Sequence, residues 1–412
     1  MNVILFEDSL VPQLYPVTIG RPAFSLACGS YRLLDLIDRL GHPVSVVVRP
    51  HLQDLVKADS PDVLSATPPK NGSILLVNAR IVPSVTSLKR LRAWSSQGRP
   101  GVILSDGSVA AALVGPKHPL PAADLSVEQF AAWVLGLKLP EADVELPLFQ
   151  YPHDLIRHHF GALSENLEDR LSRGDYQEIA EGVFAASGAS LGQHVVAHSG
   201  QGPIVLEKDA SIGPYCYLSG PVHIGAGARV IEHAAIKDGV ALGHTVKIGG
   251  EIERSIIEPY TNKQHHGFLG HSYLGSWVNL GAGTSNSDLK NTYGQVSMEY
   301  DGRKVATGMQ FVGCIFGDYA KTAVNTSIFT GKTIGACTMV YGFVTTNVPS
   351  FVNYARLFGQ VTEAPVKVMI DTQARMFQRR NVTQRPCDIQ LLEDMYQLTR
   401  HERQLAVEPL SL

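Results

Sequence analysis

Cysteine is scarce: five in 412 residues, an odd number, with no CxxC pair among them. This argues against both a disulfide framework and a zinc ribbon. No excess charge is present either. Thirty-five basic and 38 acidic residues leave a formal net of −3, which gives no sign of a broad surface for nucleic acid or anionic membrane. No apolar run approaches the ~20 residues needed to span a bilayer. The opening Met1-Asn-Val-Ile-Leu-Phe-Glu-Asp8 has no basic segment, and acids follow its apolar run directly. It reads as a first β-strand rather than a signal peptide, which makes the cytoplasm the expected location. The rest of the composition, 44% hydrophobic and 18% charged, is that of an ordinary globular chain long enough for two or three domains.

From Leu206 to Glu253 neither the helix period of 3.6 nor the strand period of two is present. Instead an aliphatic residue recurs at every sixth position: Leu206, Ile212, Leu218, Ile224, Val230, Ile236, Leu242 and Ile248. Small residues follow several of these anchors, as in Ile224-Gly225-Ala-Gly227. A period of six fits a solenoid of hexapeptides, three of which close one triangular coil of about 18 residues. The pattern returns at Phe268, Leu274 and Leu280, and again through Phe316, Thr322, Ile328, Ile334 and Val340. Two polar stretches interrupt it, about 254–267 and 284–307, and both are expected to leave the coil as loops that build a binding surface.

Before the solenoid, residues 1–150 alternate strand candidates (Val3–Phe6, Val44–Val48, Ile74–Val77, Val102–Leu104) with helix candidates (Tyr31–Leu40, Val85–Ser95, Ser126–Leu137). Alternation of this kind implies an open α/β sheet with its crevice at the carboxyl ends of the strands. Residues 151–185 form a helical linker around Asp154–Arg173, 186–348 the β-helix, and 349–412 a helical tail. The tail is expected to cap one end of the solenoid, and the α/β domain the other.

The densest polar cluster is Tyr260-Thr-Asn-Lys-Gln-His-His-Gly267, followed by Gly270-His271-Ser-Tyr273, Asn279, and Asn286-Ser-Asp-Leu-Lys-Asn291. Lysine binds phosphate, asparagine binds hydroxyls, and a neutral histidine can take a proton from an attacking amine. The bland alternative is a corner histidine beside asparagine ladders.

The segment Gly270-His271-Ser-Tyr273-Leu-Gly275…Val278-Asn279-Leu-Gly-Ala-Gly-Thr284 resembles the acetyltransferase half of the bifunctional enzymes that make UDP-N-acetylglucosamine. Their motif, Gly-His-x-x-Tyr-[LI]-Gly…Val-Asn-x-Gly-Ala-Gly-Thr, lies in a left-handed β-helix and has one residue more between His and Tyr. The stretch Asn262–Gly275 is similar to a subgroup of sugar nucleotidyltransferases with acyltransferase-like β-helices, a likeness that extends over nearly the whole chain. The resemblance implies an α/β nucleotidyltransferase-like (Rossmann-like) domain, a left-handed parallel β-helix, a helical tail and a homotrimer. It also implies acetyl-CoA as donor, an amino sugar phosphate or nucleotide sugar as acceptor, and no nucleic-acid or membrane partner. His271 would be the base, with Tyr273 and Asn279 on the sugar and Lys263 or Lys290 on its phosphate. His265 joins the substrate-binding set, and either Asn286 or Asn291 matches the family's loop asparagine.

The N-terminal half is similar to sugar-1-phosphate nucleotidyltransferases in outline only. The Gly-rich phosphate loop is missing, with no glycine before Gly20. Pro16-Val-Thr18 and Arg21-Pro22 survive, and Asn78 stands where the family has a metal-binding Asp. An amide lacks the carboxylate charge that holds Mg²⁺ against a triphosphate, although Asp106 could substitute. Thr18, Arg21, Asn78, Arg80 and Asp106 are therefore candidates for binding a sugar phosphate or nucleotide, with Mg²⁺ required only if this domain is active. Three other readings stay open: a working nucleotidyltransferase with a structural β-helix, a zinc-dependent lyase using His244, His265, His266 and His271, and a non-catalytic sugar-nucleotide sensor.

Overall fold

The computed structural model describes residues 1–61, 63–65, 72–118, 126–356 and 359–406. The first domain is a six-stranded sheet of β1 (Asn2–Phe6), β2 (Val44–Val47), β3 (Leu64–Ser65), β4 (Ile74–Asn78), β5 (Gly101–Ser105) and β6 (Ser108–Val114), in the order β3-β2-β1-β4-β6-β5. The first four strands are parallel, and β6 runs antiparallel to both neighbours. Helices α1 (Leu33–Ile37), α2 (Gln53–Asp59), α3 (Val85–Ser95) and α4 (Val127–Gly136) complete the α/β domain. A capping box opens α4: the Ser126 hydroxyl accepts from Gln129 N while Gln129 Oε1 accepts from Ser126 N. Sequence reading missed β6, whose Val-Ala-Ala-Ala-Leu-Val run lacks alternation because it is buried on both faces.

Helix α5 (Asp154–Arg173) leads to the solenoid, a parallel β-helix of about ten turns. Each coil has three faces. The first runs through Val196–His198, Tyr217–Ser219, Ala235–Lys237, Glu251–Glu253 and Phe268–Gly270. The second includes Ile204–Leu206, Val222–Ile224, Ile256–Ile257 and Tyr273–Leu274, and the third Ser211–Ile212, Lys247–Ile248, Asn262–Lys263 and Asn279–Leu280. All eight anchors from Leu206 to Ile248 lie in one continuous core. Parallel pairing runs from Val183 to Tyr354, so 186–203 is regular coil and the stack continues past Pro349.

The stretch 254–267 does not leave the coil, contrary to expectation. Leu242 pairs with Ile257 and Ile248 with Lys263, so this turn closes with 15 residues instead of 18. The shortened coils also shift the anchor from Phe268 to Leu269. The second stretch does loop out: Leu274 pairs directly with Phe316, and the excursion between Asn286 and Cys314 carries an antiparallel hairpin, Ser297–Tyr300 with Arg303–Ala306.

The solenoid ends are each covered by one antiparallel strand, Gln177–Ala180 and Gln360–Glu363. The α/β domain packs along the side instead, where Ile256, Tyr273 and Ile315 of the second face join its core. Tail helices α6 (Val366–Gln378), α7 (Pro386–Leu398) and α8 (Arg400–Ala406) tie both parts together. Phe377 packs on Trp277, Arg385 pairs with Asp59, and Glu402 accepts from Ser350 N. Among the described residues no helix is long and apolar enough to cross a membrane.

Candidate active site

His271 stands at the corner between the first and second faces, with left-handed backbone (φ 44°). The excursion leaves the coil beside it and puts Asp288 next to its ring: His271 Nδ1 lies 2.8 Å from Asp288 Oδ2. A carboxylate only accepts, so Nδ1 carries the proton and Nε2 keeps a free lone pair in the neutral ring. Phe311, from the returning end of the excursion, stacks on the imidazole at 5.1 Å. Both members of the pair remain slightly exposed, at 12% and 14%. Gly270 is required by close approach, because a Cβ there would collide with the Asp288 carboxylate. Asn286 fixes the start of the excursion: its Oδ1 accepts from Gly270 N at 3.0 Å and its Nδ2 donates to Gly270 O at 3.1 Å.

The other expected residues are scattered. Lys263 does not face solvent. It occupies the core position below Ile248, and its Nζ donates to Gly249 O (3.0 Å) and His265 O (2.5 Å), with burial pushing its pKa down to about 8. Tyr273 is sealed against the α/β domain, donating to Glu258 Oε1 at 2.8 Å, and burial raises its pKa. Asn279 lies on the third face, accepting from Asn262 Nδ2 at 2.7 Å, away from the His271 corner. Lys290 donates to Gln295 O within the excursion, and Asn291 is exposed there. His265 and His266 are exposed at the corner between the third and first faces, and His244 stands at the remaining corner. One chain therefore cannot bring these histidines to a single ion. Among the described residues no three His, Cys, Asp or Glu are placed to hold a metal.

At the carboxyl ends of β1 and β4, the expected ligands are consumed by ion pairs. Arg80 is fully buried, donating to Asp8 through Nε (2.9 Å) and Nη2 (2.6 Å) and to Phe149 O. Asn78 Nδ2 donates to Asp8 Oδ2 and Val109 O. Glu7 holds Arg49, whose Nη2 also donates to Thr18 O, and the Thr18 hydroxyl donates to Val11 O. Asp106 sits at the β5–β6 turn with φ 49°, as a turn residue. Arg21 crosses to the solenoid, 3.1 Å from Glu258 and 2.5 Å from Asp318. Burial opposes its charge, yet the two carboxylates hold its pKa above the ordinary value. Among the described residues, the carboxylates beside Asn78, Glu7 and Asp8, are both held in ion pairs, with Arg49 and Arg80. Sequence reasoning missed Asp288, although Asn286-Ser-Asp288 lay in a segment it had marked.

Residues 3–173 match the family described as sugar nucleotidyl transferase. A bifunctional sugar-1-phosphate nucleotidylyltransferase/acetyltransferase from Sulfurisphaera tokodaii is 29% identical over 34% of this chain and 36% of its own. Bifunctional protein GlmU from Ralstonia pickettii is 28% identical over 40% of this chain and 33% of its own. The same protein from Paracoccus denitrificans reaches 36% identity over 20% and 18%. The chain spans about a third of the length of the first two relatives, and less of the third. UDP-N-acetylglucosamine O-acyltransferase from Moraxella catarrhalis superposes over 52% of this chain and 97% of its own at 12% identity, with a TM-score of 0.22, too loose to bear on function. Over residues 3–173 the chain is thus similar to sugar nucleotidyl transferases, and this α/β domain is joined to a parallel β-helix.

Proposed function

We propose that the protein is a transferase of sugar-nucleotide metabolism that moves an acyl group, acetyl from acetyl-CoA, onto the amine of an amino sugar phosphate or nucleotide sugar at the His271 corner. The observation that carries this reading is the His271–Asp288 pair. Asp288 holds the ring in the tautomer that frees Nε2, as an orienting carboxylate does in other acyl-transfer sites. Nε2 takes the amine proton as nitrogen attacks the thioester carbonyl. The tetrahedral intermediate then collapses to the amide, and the proton passes to the leaving thiolate. The relatives' printed names, which join nucleotidylyl transfer to acetyl transfer, support the reaction class.

Assembly as a homotrimer fits the first face, which exposes Val196 and Tyr217 and ends at the His271 corner. A neighbouring chain laid there would close the site and exclude water.

Thiol release from acetyl-CoA across amino sugars, run beside pyrophosphate release from nucleoside triphosphates, tests the proposal. His271→Ala is expected to lower kcat by about 10²–10⁴-fold with the fold intact. Asp288→Asn should cost about 10²-fold or more in kcat with little change in KM, since it acts on the base and not on substrate. Wild-type rates in His271→Ala on the best acceptor would remove the base.

A further inference from the structure

A second polar locus lies on the third face, away from His271. Lys247, Asn262, Asn279 and Lys321 occupy one register position in four successive coils. At about 4.8 Å per coil they form a ladder roughly 14 Å long. The carboxyl end of α6 crosses this ladder and adds Arg379 and Arg380, enclosing a cleft of about 330 Å³ with Tyr260 and Trp277 as its wall.

Four cations converge here. Among the described residues none of them lies within 4.0 Å of a carboxylate, and no acid lines the cleft. Lys321 is partly buried, its Nζ bonded only to Tyr319 O at 2.9 Å, and desolvation pushes its pKa down to about 8. Burial and the neighbouring Arg380, Arg229 and Arg379 lower that of Lys247. Arg380 is lowered by burial and by Arg379. Mutual repulsion of this kind disfavours the docked tail, and a bound anion would reverse its sign. A second, independent feature points the same way. Asn262 Oδ1 is buried without a donor, while its Nδ2 is spent on Asn279. An acceptor left unpaired is destabilising, and a rotation of the half-buried Asn262 side chain within the cleft lining would offer it to a ligand hydroxyl.

We propose that this cleft is a ligand site separate from the His271 corner and that it takes a hydroxyl-bearing phosphate ester carrying at least two negative charges. Arg379 and Arg380 grip the phosphate from the tail, Lys247 and Lys321 from the coil, and Asn262 accepts from a sugar hydroxyl. The site stands whether or not His271 acts as a base, and the volume suits a sugar phosphate or the sugar-diphosphate end of a nucleotide sugar.

Calorimetric titration of the full chain at fixed ionic strength tests this, with glucose 1-phosphate, UDP-glucose, coenzyme A and inorganic pyrophosphate as probes. Saturable binding of glucose 1-phosphate or UDP-glucose is expected, and which binds tighter distinguishes the source. The double variant Arg379→Ala/Arg380→Ala and, from the opposite wall, Lys247→Ala should each weaken it about tenfold or more. Asn262→Ala should weaken both sugar esters and leave pyrophosphate unchanged. Absence of saturable heat with either sugar ester at millimolar concentration would overturn the proposal. So would affinity that survives both cleft variants but falls in His271→Ala, or coenzyme A as the only ligand bound.

Discussion

Lys263 occupies a position that the repeat reserves for an aliphatic side chain. It is 1% exposed, and two backbone carbonyls receive its ammonium. Its pKa of about 8 in the fold lies below the ordinary lysine value. Between those two values the unfolded chain binds more protons, so wild-type stability rises with pH there, and the penalty is fully present below pH 8. Lys263→Met keeps the bulk, removes the charge and leaves two carbonyls unpartnered. Relative to this variant the wild type should gain about 1 kcal/mol per pH unit between about pH 8 and 10. Urea unfolding at both ends of that window checks it, and parallel pH profiles would contradict it. Lys263 was read from the sequence as a phosphate ligand because its register was invisible. A turn of 15 residues in a run of 18 turns a surface position into a core one, and nothing in Tyr260–Gly267 announces the three missing residues. Tyr273, Arg21 and Arg80 misled in the same way, since a side chain spent on an internal ion pair or hydrogen bond has the same letter as one offered to a ligand. His271 lies at an open corner, which Gly270 and the adjoining excursion fix locally.

Among the elements, the coil was legible because each hexad repeats one contact, an aliphatic side chain inward and a small residue at the corner. Those small residues serve two distinct ends. Gly225 has ordinary backbone, but a Cβ on it would meet the Gly243 carbonyl carbon of the next coil at 2.5 Å. Gly227, two residues on, has φ 63° and open space around it. Gly225→Ala should therefore force neighbouring backbones apart and cost about 1–3 kcal/mol or more. Gly227→Ala meets only the left-handed penalty, about 1 kcal/mol. Denaturant midpoints of the two variants check the order, and a Gly227→Ala variant less stable than Gly225→Ala would show that coil spacing does not limit this corner. The excursion between Asn286 and Cys314 was legible as a loop, but its hairpin and the Asp288 contact were not. They arise from where the chain leaves and rejoins the stack, which the intervening residues do not encode locally.

In the whole molecule, the two domains share a core and a buried charge cluster in which Arg21 of the α/β domain meets Glu258 and Asp318 of the solenoid. The carboxyl edge of the sheet, where a doubly wound fold opens its crevice, is closed by Glu7–Arg49 and Asp8–Arg80. The domain thus braces the second face of the β-helix, and its transfer chemistry is expected to be absent. Restoring the family's acid at Asn78 provides a direct test. If the substitution alone had silenced the domain, Asn78→Asp would recover Mg²⁺-dependent pyrophosphate release from UTP, dTTP or GTP with a sugar phosphate. Here Asn78 Nδ2 donates to Asp8 Oδ2 at 2.8 Å and to Val109 O at 2.9 Å. A carboxylate in its place meets two acceptors and a like charge at a position fully buried from solvent. Asn78→Asp should lose on the order of 2 kcal/mol of stability, seen as a lower Tm, with no pyrophosphate released. Release by the variant at a rate above that of the wild type would show that the crevice can open and that the ion pairs are a lock, not a permanent replacement for the nucleotide site.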